Sequence, residues 1–145
     1  MISTDDYYMR EALKEARKAS DDDEVPVGAV VVCQNKIIGR AYNMTERLTD
    51  ATAHAEMQAI TAASSYLGGK YLDQCILYVT IEPCVMCAGA SSWAQISKIV
   101  YGAPDEKKGF LLISKKILHP KTILVGGILE EECGELMKEF FRKKR

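Results

Sequence analysis

Two hydrophobic periods alternate along this chain. Met9, Ala12, Leu13 and Ala16 recur at helical spacing, which predicts a first helix opening with Ser3 or Thr4 as N-cap and running to about Ala19. The acidic run Asp21-Asp22-Asp23-Glu24 ends it. Pro26 to Cys33 is rich in valine and reads as a buried strand. Gln34-Asn35-Lys36 is a tight turn and Lys36 to Tyr42 the return strand, so the sheet begins with an antiparallel hairpin. A second helix opens at Thr52 or Ala53 and continues to about Leu67, where Gly68-Gly69 stops it. Cys75 to Ile81 is a third strand, Cys84 to about Trp93 a third helix behind Pro83, Ile96 to Tyr101 a fourth strand and Lys121 to Val125 a fifth. Phe110 to Leu118 fits neither period and reads as a loop or a short helix. Leu129, Cys133, Leu136, Met137, Phe140 and Phe141 fall on one face of a last helix. Strands alternating with helices predict a three-layer α/β/α sandwich on a mixed, five-stranded sheet. No linker, repeat or low-complexity stretch divides the pattern, so residues 1–145 read as one domain.

Composition adds constraints. The 145 residues are 48% apolar and 27% charged, an ordinary globular mixture. No apolar run approaches the roughly 18 residues a membrane helix needs. The first ten residues carry Asp5, Asp6 and paired tyrosines where a secretory signal needs a basic start and an apolar stretch. The expectation is a soluble, cytoplasmic protein with no membrane partner. The five cysteines are an odd number, which rules out a fully paired disulfide framework within one chain. Cys33, Cys75 and Cys133 lie in apolar patterns and read as buried small hydrophobes. Asn43-Met44-Thr45 matches a glycosylation acceptor in the wrong compartment. A net charge of −1 excludes a global positive field. Any RNA binding rests on local patches such as Lys107-Lys108, Lys115-Lys116 and Arg142-Lys143-Lys144-Arg145, each of which alone reads as solvated surface.

The chemistry is concentrated in His54-Ala55-Glu56 and Pro83-Cys84-Val85-Met86-Cys87. Both motifs open helices after strands. Cys84 and Cys87 are three apart and share one face of a first turn, where the helix dipole favours the metal-binding thiolate. Pro83 suits a helix entrance, since its missing N–H is not needed there. His54, Cys84 and Cys87 would give a zinc ion three protein ligands and leave one tetrahedral position for water, which zinc acidifies toward neutral pH. Glu56 is turned about 200° from His54 on a helix. It is poorly placed as a fourth ligand but can reach that water. The role assigned to Glu56 is general acid/base: it takes a proton from the attacking water, returns it to a ring nitrogen of the substrate and helps protonate the leaving amine. Cys-x-x-Cys alone also marks redox sites and structural zinc. A redox reading leaves His54 and Glu56 without a role. Structural zinc needs a fourth protein ligand, for which His119, Cys75 and Cys133 are the candidates.

Longer stretches resemble a known family. They are Glu24-Val25-Pro26-Val27-Gly28-Ala29-Val30, Ala41-Tyr42-Asn43, Thr52-Ala53-His54-Ala55-Glu56-Met57, residues 77–90, Val100-Tyr101-Gly102-Ala103 and Phe140-Phe141-Arg142. Together they are similar to the tRNA adenosine deaminases of the TadA type, within the cytidine deaminase-like superfamily. The resemblance implies a cytidine deaminase-like fold, one Zn2+ per subunit, and conversion of adenosine to inosine at the wobble position of a tRNA anticodon stem-loop, with release of ammonia. It implies that Asn43 reads the purine edge, that Val27 packs on the base and that the Ala55 N–H contacts the purine. It also implies that Asp105 and Lys107 touch sugar and phosphate, and that Phe140 and Arg142 meet the flipped anticodon bases. A homodimer is implied as well, for which Met86, Ala90 and Trp93 are either interface or core. The chain departs from the pattern between Gly109 and Gly127. It is shorter there, with Phe110-Leu111-Leu112 in place of Gly-Ser and Lys121-Thr122-Ile123-Leu124 where an Asn-His pair is expected. That departure keeps open a second reading, a deaminase of a free purine base or nucleoside such as guanine or adenine. A third reading is a non-catalytic, zinc-stabilised RNA-binding domain.

Overall fold

The structure, a computed structural model, describes residues 3–144. Among these, helices α1 (Thr4–Asp21), α2 (Ala55–Leu67), α3 (Val85–Trp93) and α4 (Glu130–Lys143) alternate with strands β1 (Gly28–Cys33), β2 (Lys36–Tyr42), β3 (Cys75–Ile81), β4 (Lys98–Ala103) and β5 (Ile123–Val125). The sheet order is β2-β1-β3-β4-β5. β1 runs antiparallel to β2 and β3, while β3, β4 and β5 are parallel. The sheet is therefore mixed, and the α/β/α sandwich follows from the two-residue period of its strands. Ala29 and Val31 of β1 point into a core shared with Ala55, Ala59 and Ala63 of α2 and Ala88 of α3. Val30 and Val32 point the other way, onto Met9, Ala12 and Leu13 of α1 and Cys133 of α4. No helix among the described residues is long and apolar enough to cross a membrane.

Glycine sets the distance between layers. A Cβ on Gly28 would land on the backbone of Ala12 and Ala16, so only glycine lets α1 lie this close to β1. Gln34 and Asn35 both adopt positive φ, 51° and 62°, the two-residue hairpin geometry that matches strand twist. The hairpin directs the backbone groups of Cys33 toward Lys36 of β2. Cys33 and Cys75, opposite each other on β1 and β3, are therefore a pair without ladder hydrogen bonds between them. Cys75 and Cys133 are buried, and Cys33 is half-buried.

Several element boundaries differ from the sequence expectation. β1 begins at Gly28 instead of Pro26, because Pro26 has no N–H and the Val27 N–H turns back to the Val25 carbonyl at 2.9 Å. The second helix starts at Ala55 rather than Thr52 or Ala53. Residues 44–53 form a self-bonded loop in which Asp50 accepts from the Thr52 N–H at 2.8 Å and Ala53 accepts from the Met44 N–H at 3.0 Å. α3 starts at Val85, with Cys84 as its N-cap. β4 is shifted to Lys98–Ala103, and β5 shrinks to Ile123–Val125 because Thr122 closes a turn on His119. Phe110–Leu112 and Lys115–Ile117 are two single 3₁₀ turns. On α4, Phe141 leaves the apolar stripe and is 44% exposed.

Candidate active site

The N-termini of α2 and α3 meet at the C-terminal end of β3. His54 is the N-cap of α2 and Cys84 the N-cap of α3, both with extended backbone. Cys87 lies one turn further along α3 and is buried. His54 Nδ1 is 3.6 Å from Cys84 Sγ and 3.5 Å from Cys87 Sγ. With Zn–S near 2.3 Å and Zn–N near 2.0 Å, the N–S edge of a regular tetrahedron is about 3.5 Å. The donor set thus fits zinc in both chemistry and spacing. Among the described residues these three form the group whose ligand atoms lie within 4.8 Å of one another. His119, Cys75 and Cys133 lie outside it. The His119 Nδ1 accepts instead from the Lys121 N–H at 3.1 Å. A fourth protein ligand, which structural zinc requires, is not assembled.

The charges are arranged around that triad. The Cys87 thiol, followed by His54, pulls Cys84 down to about 4, far below an ordinary thiol. Cys87 is pushed up, first by donating to Cys84 and then by burial. The contact with Cys84 raises His54. Glu56, two residues into the site from His54, is pushed up to about 7, chiefly by burial. A carboxyl raised by desolvation rather than held by a cation is suited to accepting and returning a proton near neutral pH.

These groups open into a cleft of about 250 Å3. It is small beside the roughly 300–1,000 Å3 of ordinary small-molecule clefts, so it admits one ring system. Val25, Val27 and Ile81 give it apolar walls. Asn43, Thr45, Glu82, Asp105 and Lys108 form its polar rim, and Met137 of α4 closes one side.

The chain matches the cytidine and deoxycytidylate deaminase zinc-binding region over residues 2–103. It is 44% identical to the tRNA-specific adenosine deaminase of Bacillus subtilis, across 99% of this chain and 92% of the relative. The chain belongs to this family of zinc-dependent deaminases. A solved structure from a study of A-to-I editing by tRNA:A34 deaminases at the wobble position of transfer RNA superposes with a TM-score of 0.84 at 41% identity, over 90% of this chain and 98% of that one. A guanine deaminase from Bacillus subtilis is 38% identical with a TM-score of 0.65, over 68% of this chain and 63% of that one. In this deaminase His54, Cys84 and Cys87 are the described residues whose ligand atoms are close enough together to hold the zinc.

The remaining residues singled out in the sequence divide into two groups. Asn43, Val27, Ala55, Glu56 and Asp105 all line the cleft of this deaminase. Lys107, Phe140 and Arg142 do not. Lys107 is exposed on the same loop, and it is Lys108 that faces the cleft. Phe140 is only 9% exposed, with its ring against Phe141 and Lys144. Arg142 is exposed and paired with Glu139. Asp105 Oδ1 accepts from the N–H groups of Lys107 and Lys108 at 3.0 Å each, which folds its own loop. Sequence reasoning missed Met137 and the buried carboxylates Glu24 and Glu82, and named Lys108 only as part of the Lys107-Lys108 patch. Met137 reads in sequence only as part of an apolar stripe. Glu24 accepts from the Glu46 and Arg47 N–H groups at 3.0 and 2.7 Å, partnerships 22 and 23 residues away that leave no local signal.

Proposed function

We infer that this chain is a zinc-dependent hydrolase converting adenosine to inosine at the tRNA wobble position, with release of ammonia. The observation that carries this is a three-ligand metal set beside a buried, unligated Glu56, in a cleft sized for one base. Near-full-length identity to tRNA-specific adenosine deaminases chooses the substrate. Zinc, when bound by His54, Cys84 and Cys87, supplies Lewis acidity toward the attacking water. Glu56 takes a proton from that water, delivers it to the ring nitrogen beside the reacting carbon and then helps protonate the departing amine. Val27 and Ile81 pack on the purine faces. The Asn43 side chain both donates and accepts at the base edge. The Ala55 N–H, one of the donors a helix start leaves without an intrahelical partner, meets a ring nitrogen. Asp105 and Lys107 approach sugar and phosphate, and the last turn of α4 with Arg142 meets the neighbouring anticodon bases. There Phe141 offers the accessible aromatic face over the more deeply set Phe140.

Residues 1–145 act as one domain in this reading, and the working unit is a homodimer in the cytoplasm, where tRNA is used. The dimer is supported by Trp93 at 86% exposure, on the same short helix as exposed Val85 and half-buried Met86 and Ala90. The test is mass-spectrometric detection of inosine in an anticodon hairpin incubated with zinc-loaded protein, beside free guanine, adenine and adenosine assayed for ammonia. The expected result is inosine in the hairpin alone, lost on chelation. Glu56→Ala is expected to lower turnover about a thousandfold with zinc retained. Ammonia from a free purine with no inosine in RNA would transfer the protein to base deamination. Hairpin binding without turnover would make it a binding domain.

A further inference from the structure

Glu82 lies between β3 and the metal ligand Cys84, and its carboxylate is used entirely on one loop. Oε1 accepts from the Asp105 N–H at 3.1 Å and Oε2 from the Leu111 N–H at 3.0 Å. The side chain is buried, at 6% exposure. Among the described residues no lysine or arginine lies within ion-pair distance of it, so backbone donors take the place of a countercharge. Three further contacts run alongside. The Glu82 N–H donates to Ala103 at 2.8 Å, Pro83 accepts from the Phe110 N–H at 2.9 Å, and Cys84 pairs with Gly109 as an antiparallel bridge. Gly109 is required at this point, since a Cβ there would strike Glu82 Oε2 and lie 2.6 Å from the Asp105 carbonyl. The loop so held carries Asp105 and Lys108, both on the rim of the cleft.

We propose that Glu82 is a positioning residue that clasps the 105–111 loop to the segment bearing Cys84, and so fixes the rim against which the RNA backbone seats. The proposal rests on the tRNA reading above. Glu82 borders the cleft, and the partners of its two side-chain oxygens are the Asp105 and Leu111 amides, on the loop rather than in the metal set. A rim that meets the RNA equally in the ground and transition states contributes to KM rather than to kcat.

The test is steady-state kinetics on the anticodon hairpin, together with hydrogen exchange on the free protein. Glu82→Gln keeps the shape but turns one acceptor into a donor facing an N–H. It is expected to raise KM about tenfold, leave kcat within about twofold and keep one zinc per chain. Gly109→Ala pushes the same carboxylate aside without changing its charge and is expected to reproduce that result. The double variant is expected to be no worse than either single one, because both break one clasp. Amides of Asp105 and Leu111 are expected to exchange faster in both variants, whatever the substrate. A wild-type KM with unchanged exchange in Glu82→Gln would overturn the proposal, as would loss of zinc together with kcat, or additive effects in the double variant. Absence of inosine with the wild-type enzyme would instead sink the tRNA reading, and the exchange data would still decide the clasp.

Discussion

Glu56 and Glu82 are both buried acids, and their neighbours give them different tasks. Glu82 is met by two backbone donors, one on each oxygen. Glu56 is raised by desolvation beside two thiols and is free to exchange a proton. Sequence could separate neither case by residue type. Sequence singled out Glu56 by assuming that both it and His54 lie on one helix, whereas His54 is the extended N-cap and Glu56 the second residue of α2. Nothing local marks Glu82, whose partners lie 23 and 29 residues downstream. Asn43 falls between these extremes. By itself it reads as a turn residue, but the structure buries it on the cleft wall. On the proposed reading of the base edge by Asn43, Asn43→Ala is expected to lower kcat/KM on the hairpin about a hundredfold with zinc content unchanged. Competition assays against an inosine-free hairpin would check it.

Among the elements, type and order were legible, because the two-residue and 3.6-residue periods are strong in β1, β3, α1 and α4. Boundaries were less so. The start of α2 depends on Asp50 and Ala53 capturing N–H groups that a continuous helix would have used, and this competition is not a pattern of apolar positions. Where a cap was legible it can be measured. Ser3 Oγ accepts from the Asp6 N–H at 3.1 Å, so Ser3→Ala is expected to cost about 1 kcal/mol in urea unfolding. Layer spacing gives a larger effect. Gly28→Ala forces a methyl into the α1 backbone, with an expected cost of about 2–3 kcal/mol.

At the scale of the whole molecule, the net charge of −1 gives no general attraction for nucleic acid. On the proposed reading RNA capture comes from a few local cations, Lys107 and Lys108 among them, so affinity is expected to fall with salt on a shallow slope that reflects few phosphate contacts. Trp93 is the sole tryptophan in the sequence and is 86% exposed in the isolated chain. If two copies bury it, its emission is blue-shifted at high concentration and moves red on dilution. Trp93→Glu is expected to give a monomer by sedimentation and, because it removes the sole indole, no tryptophan emission. The segment 110–124 was opaque in sequence because its two short turns are too brief to carry a period.

His54 and Cys84 occupy the positions where helices ordinarily place a serine or an aspartate; neither side chain makes a capping hydrogen bond, and Cys84 instead meets the Cys87 thiol. A zinc ion held there would also fasten two helix starts that lack their usual caps. When a chelator strips it, deuterium uptake is expected to rise first at residues 55–58 and 85–88, with the sheet beneath them protected until the protein melts as a whole.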